Sequence, residues 1–147
     1  YYNIFKLYPS TIELKLQKTK FLGRTIKNDE IFLIGSNGKF INNDSFNIKE
    51  SLPMVFGKFT SDKFSYFKNI LIKSSLDYNN IKEIFFFQSG RIDIKTKDNI
   101  LIKFPLHNLD DAMLIAGKII TNEKFKNNII DLRVPNQLIL SNEWKKF

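Results

Sequence analysis

Most of the periodic sequence in this chain repeats every two residues, and the repeating runs are joined by tight-turn residues. Arg91-Ile92-Asp93-Ile94-Lys95 alternates, Ile100-Leu101-Ile102-Lys103-Phe104 follows, and only a short Lys97-Asp98-Asn99 link lies between them. Alternation sends successive side chains to opposite faces of a strand. A link this short can join only antiparallel neighbours. Ser36-Asn37-Gly38 plays the same part between Ile31–Ile34 and Lys39-Phe40-Ile41, because Asn-Gly accepts the positive φ of a hairpin turn. Asn28-Asp29 is a weaker turn signal. Ile12, Leu14 and Leu16 alternate with Glu13, Lys15 and Gln17, which predicts a half-buried strand. Leu52–Gly57 is apolar between breakers and reads as a short buried segment ending at a turn. Ile81–Phe87 is a strand with three consecutive Phe, followed by a turn or bulge at Ser89-Gly90.

Two segments break this rhythm with a helical one. Phe64, Phe67, Ile70 and Leu71 recur at three- and four-residue spacings, so a helix capped by Ser61 or Asp62 is expected to run to about Ser74. In Leu109–Thr121, Leu109, Ala112, Met113, Ala116, Ile119 and Ile120 form the second apolar stripe. Asn108 is its expected N-cap, and Asp110 and Asp111 complement the positive end of the helix dipole. Strands, helix, longer strands, helix and final strands predict an α+β fold: a mainly antiparallel β-sheet with two principal helices.

The final strands are Ile129–Leu140. Ile129, Ile130 and Leu132 have strand composition, Val134-Pro135-Asn136 breaks the run, and Leu138-Ile139-Leu140 resumes it. Alternation lets Leu132 face a core while Asp131 and Arg133 share the opposite face.

Composition limits the chemistry. With 147 residues, 43% of them hydrophobic and 15 of them Phe, the chain can fill a packed core. It begins at Tyr1 rather than Met, so it is expected to be part of a longer protein. No apolar run approaches the roughly 20 residues of a membrane helix. The net charge is +8, but the lysines are scattered and only Lys145-Lys146 are adjacent, which fits solvated faces better than an anion-binding tail. The absence of Cys removes disulfides, thiolate metal sites and Cys nucleophiles. His107 is the single histidine and reads as a surface residue in a turn. Asp110-Asp111 is explained by the helix dipole before any cation. There is no phosphate-binding or dinucleotide glycine pattern. No catalytic, cofactor or metal site is expected. A basic module binding nucleic acid or another anionic polymer is the alternative; Phe85-Phe86-Phe87 is its nearest stacking platform, though at least one of these rings must face the core.

Several segments, in order, resemble the extracytoplasmic part of the FtsQ/DivIB cell-division proteins. Tyr8-Pro9-Ser10-Thr11-Ile12-Glu13-Leu14 is similar to the strand that ends that family's POTRA domain. Ile31–Phe40 resembles its Gly-containing hairpin, and Leu52-Pro53-Met54-Val55-Phe56-Gly57 its Leu-Pro-x-hydrophobic-x-Gly segment. Arg91–Phe104 resembles its Arg-Trp-Asp-hydrophobic hairpin, with Ile92 for Trp, and Ile130-Asp131-Leu132-Arg133 its hydrophobic-Asp-Leu-Arg strand. The resemblance implies that residues 1–20 end a POTRA-like domain and that residues 21–147 form the larger β domain. It implies a non-enzymatic divisome scaffold in the inner membrane, single-pass, anchored by a helix outside this sequence and with this domain on the periplasmic side. It further implies FtsB-like and FtsL-like partners and no nucleic acid. One partner would add a strand to the last strand, through Arg133, Val134, Asn136, Gln137, Leu138, Ile139 and Leu140.

Overall fold

The computed structural model describes residues 2–16, 18–46, 48, 51–121, 125 and 128–141. The strands in chain order are β1 (Tyr2–Leu7), β2 (Thr11–Leu16), β3 (Phe21–Lys27), β4 (Glu30–Gly35), β5 (Phe40–Asn42) and β6 (Met54–Gly57). Helix α1 (Ser61–Lys73) follows, then β7 (Ile81–Phe86), β8 (Ile92–Thr96) and β9 (Leu101–Lys103). Helix α2 (Leu109–Ile120) precedes β10 (Ile129–Asp131) and β11 (Ile139–Ser141).

The predicted turns close as their residues demand. Asn28 and Asn99 both take left-handed backbone, as does Gly38, the conformation these residue types tolerate best. Asp29 is left-handed as well, so the Asn28-Asp29 link is a tight hairpin turn. Among the described residues, β1 and β2 pair only with each other, while the remaining strands form one nine-stranded sheet in the order β11-β10-β9-β8-β7-β6-β3-β4-β5. Five neighbouring pairs are antiparallel: β10 with β11, β3 with β4, β4 with β5, β7 with β8 and β8 with β9. Three are parallel: β9 with β10, β3 with β6 and β6 with β7.

One face of this sheet is built for burial. Val55, Ile84, Ile94, Ile102 and Ile130 stand level across β6, β7, β8, β9 and β10, and each is fully buried. Both helices pack there. α1 contributes Phe64, Phe67, Ile70 and Leu71, as the spacing predicted, and α2 contributes Ala112, Met113 and Ala116. Leu109, Ile119 and Ile120 of the predicted stripe are half-buried against the same core. Gly57 ends β6 with φ 94°, where a Cβ would lie 1.9 Å from the Phe86 carbonyl oxygen. Only glycine allows β6 and β7 to approach so closely at that point.

Three local expectations change. Thr60, not Ser61 or Asp62, caps α1: it is extended, and its Oγ1 accepts the Lys63 backbone N–H at 3.3 Å. Asn108 does stand at the N-cap of α2, but its backbone is left-handed and its side chain makes no capping bond; its carbonyl accepts the Ala112 N–H at 3.2 Å instead. β2 is a strand but not a half-buried one, since Ile12 is 69% and Leu14 54% exposed. Among the described residues β1 is the only strand paired with β2, and a two-stranded sheet has no core of its own. The Leu16 side chain lies outside what the structure describes.

Candidate functional site at the last two strands

β10 joins the sheet through β9. Ile130 and Leu132 are buried, and the Leu132 N–H donates to the Lys103 carbonyl at 2.9 Å. The chain then turns at Val134–Gln137, where the Gln137 N–H donates to the Val134 carbonyl and Asn136 is left-handed. Pro135 fits here because it need not donate. β11 returns antiparallel to β10, with Ile130 level with Leu140 and Asp131 level with Ile139.

β11 is the terminal strand of the large sheet, so one side of its backbone has no ladder partner among the described residues. Ile139 and Leu140 of β11 and Leu138 just before it are apolar and open, at 44%, 43% and 42% exposure. Leu140 ends the buried row that runs from Val55 to Ile130, on the helix face. Between α2 and the turn that joins β10 to β11 lies a groove of about 360 Å³, with Ala112 and Ile115 of α2 and Val134 and Leu138 of the turn segment in its lining. Asn136 and Gln137 line it too, so six of the seven residues expected at the partner edge surround one strand and its groove.

Arg133, the seventh, points to the outer face and is already engaged. Its Nε donates to both oxygens of Asp131, at 2.8 and 3.0 Å, and its Nη2 donates to Oδ2 at 2.5 Å. The Asp131 Oδ1 also accepts the Arg133 backbone N–H at 3.0 Å. These bonds hold the Asp131 carboxyl below its ordinary range and push the guanidinium further up.

A second charged pair, not anticipated from the alternation, lies on the same face. Asp93 faces away from the helices as expected, yet it is only 3% exposed. Arg91 Nε is 3.1 Å from its Oδ1 but misaligned for a hydrogen bond; the bond formed is from Nη2 to Oδ2, at 3.4 Å. Burial raises the Asp93 pKa, against the opposing charges of Arg91, Lys103 and Arg133. Arg91 in turn lies over the Phe87 ring at 4.0 Å. The three consecutive Phe therefore have separate fates. Phe86 is buried in the core, Phe85 stacks on Phe56, and Phe87 supports Arg91. His107 is exposed on the rim of the groove. Among the described residues, no group of three or more His, Asp or Glu could hold a metal ion, and no helix is long and apolar enough to cross a membrane.

A family model for the C-terminal part of the cell-division proteins FtsQ and DivIB matches residues 24–133. The chain belongs to the FtsQ/DivIB family. The match runs from β3 to the Asp131–Arg133 pair and so takes in most of the large sheet and both helices. Cell division protein FtsQ of Bradyrhizobium diazoefficiens is 22% identical over 140 residues, covering 93% of this chain and 41% of that protein. Protein Ycf2 of Physcomitrium patens is 27% identical over 148 residues, covering 89% of this chain and 7% of that protein. The chain therefore spans less than half the length of either relative. The major extracytoplasmic domain of DivIB from Geobacillus stearothermophilus has a TM-score of 0.46 and 13% identity, over 72% of this chain and 98% of that one. For an FtsQ/DivIB family member, the α+β architecture with a mostly antiparallel sheet and two helices is as its sequence predicted.

Proposed function

We propose that this chain is the extracytoplasmic part of a cell-division scaffold that performs no catalysis and gathers FtsB-like and FtsL-like partners at the septum. One partner adds a strand to the outer side of β11. The observation that carries this reading is the open, apolar end of a nine-stranded sheet at Leu138–Leu140 beside the α2 groove. An unpaired row of N–H and C=O groups is a template for an incoming strand, and neighbouring side chains select among candidates. The groove then receives the partner's side chains next to Leu138 and Ile115. A single-pass inner-membrane anchor would lie N-terminal to this domain, and the domain would face the periplasm. The separate β1–β2 sheet supports assigning residues 1–20 to a POTRA-like domain and residues 21–147 to the β domain.

The test is a pull-down with the periplasmic segments of the same organism's FtsB-like and FtsL-like proteins, comparing wild type with Leu138→Pro. Loss of capture by a variant whose thermal melt matches wild type supports strand addition at β11. Equal capture by both proteins sinks it, and capture that falls steeply with salt in both would favour the anionic-polymer reading.

A further inference from the structure

A second cavity, of about 430 Å³, is lined from the starts of both helices, by Lys63 and Tyr66 of α1 and by Asn108 and Leu109 at the head of α2. Phe86 and Ile92 belong to its lining and are buried, so part of it is apolar and closed. Tyr66 and Leu106 are open, at 62% and 54% exposure. Lys58 and Lys63 bring two positive charges, and no Asp or Glu stands in the lining. The groove beside α2 differs, since it includes Asp111, and so does the hollow past the far ends of both helices, which includes Asp77 and Asp98. The fold does not use the two ammonium groups. Among the described residues no carboxylate pairs with Lys58 or Lys63, and neither lies over an aromatic ring.

We propose that this cavity takes an acidic segment of a further protein partner: one large apolar side chain with carboxylates on either side of it. The apolar side chain covers Phe86 and Ile92 and leaves water. The flanking carboxylates meet Lys58 and Lys63, whose long stems can line an apolar hollow while their charged heads stay in water. Charge alone would accept any polyanion, and the hollow alone any apolar group; the two together select a segment that carries both. A nucleic acid would match the charge but needs open ring faces for its bases. Phe87, an aromatic of this lining, already carries the Arg91 guanidinium over its ring at 4.0 Å. The cavity shares His107 and Asn108 with the groove beside α2 but none of Val134–Leu138, so it stands whether or not a strand adds to β11.

Titration of the whole chain, followed by NMR at its backbone amides, tests the site. The probes are the peptide acetyl-Glu-Glu-Phe-Glu-Glu-amide, a copy with Ala for Phe, and a copy with Gln for every Glu. The first peptide should move the amides of Lys63, Tyr66 and His107. The Ala copy should bind about tenfold more weakly, the effect of one lost apolar anchor. Lys58→Ala and Lys63→Ala should each weaken the acidic peptide by about two- to fivefold, the range of an exposed ion pair, and leave the Gln copy unchanged. Leu138→Pro should leave binding unchanged. No shift at the cavity residues overturns the proposal, as does an Ala copy that binds as tightly as the Phe peptide, or a lysine variant that weakens the acidic and Gln peptides equally. Binding lost with Leu138→Pro moves the site to the last strand and overturns it too. A single-stranded oligonucleotide that moves the same amides as strongly replaces it with the anionic-polymer reading.

Discussion

The two faces of the large sheet carry parallel rows with opposite chemistry. On the helix face Val55, Ile84, Ile94, Ile102 and Ile130 run level and end at Leu140. On the outer face Phe56, Phe85, Asp93, Lys103 and Asp131 run level and end at Ile139. The first row loses all contact with water over five strands; the second buries one carboxylate and leaves its one cation, Lys103, half-open. The first supplies non-directional stability in proportion to area. The second supplies little net stability, because desolvation offsets attraction, but it makes position matter. β11 is where both rows meet an open edge. A partner there would extend an apolar row on one side and a charged row on the other.

Substitutions at four positions break or sharpen this contrast, the largest effect first. Ile102→Ala, in the middle of the apolar row, should cost about 2–5 kcal/mol in denaturant unfolding, since it opens a cavity against side chains on both neighbouring strands. Asp93→Ala should cost less, about 1–2 kcal/mol, because Arg91 keeps partial access to water and its stack on Phe87. A cost equal to that of Ile102→Ala would show that the charged row is as much a core as the apolar one.

Acid should separate the two carboxylates of the charged row. Asp93 has a raised pKa in the folded chain, so its burial penalty is present at neutral pH and is relieved as pH falls through that raised value. Asp131 has a depressed pKa, so its stabilisation is present above the ordinary 3.8 and is lost as pH falls below it. Denaturation midpoints measured from pH 7 downward should show wild type gaining on Asp93→Asn before pH 3.8 is reached, and losing ground to Asp131→Asn beneath it. Both comparisons moving the same way would contradict the opposite placement of the two groups. The smallest effect is expected at the open end: Leu140→Thr should change stability by no more than about 0.5 kcal/mol. A cost approaching that of Ile102→Ala would mean that the apolar row does not end where β11 begins.

The sequence announced faces better than it announced cover. Ile94 and Ile102 belonged inside by alternation, and so did the Phe64–Leu71 stripe, because local period fixes direction. The same rule sent Asp93 outward, correctly, and still missed its burial. What covers Asp93 includes the long side chain of Arg91 and the charges that gather from β9 and β10, and period carries no information about neighbouring strands. Ile12 and Leu14 show the reverse error: an equally clean alternation, with no third strand among the described residues paired to use it. The parallel pairing of β6 with β3 and β7 was invisible for a related reason. Leu52–Gly57 carries only its own breakers and apolar residues, while its neighbours are chosen by segments some thirty residues away on either side. At the candidate site the Asp131–Arg133 face was legible, and so was the Val134–Asn136 turn. That Arg133 would turn its Nε and Nη2 onto Asp131 was not legible.

The position of β10 and β11 in the chain has a consequence for timing. Translation delivers both strands after the other described ones, and β10 joins the earlier part of the sheet through β9, across α2. Ile130 and Leu132 have no site until the side chains of β9 and α2 have packed. The edge at Leu138–Leu140 thus exists only on a molecule in which β9 and α2 have already packed. Recruitment through it would be a built-in inspection: an unfinished chain has nothing to present.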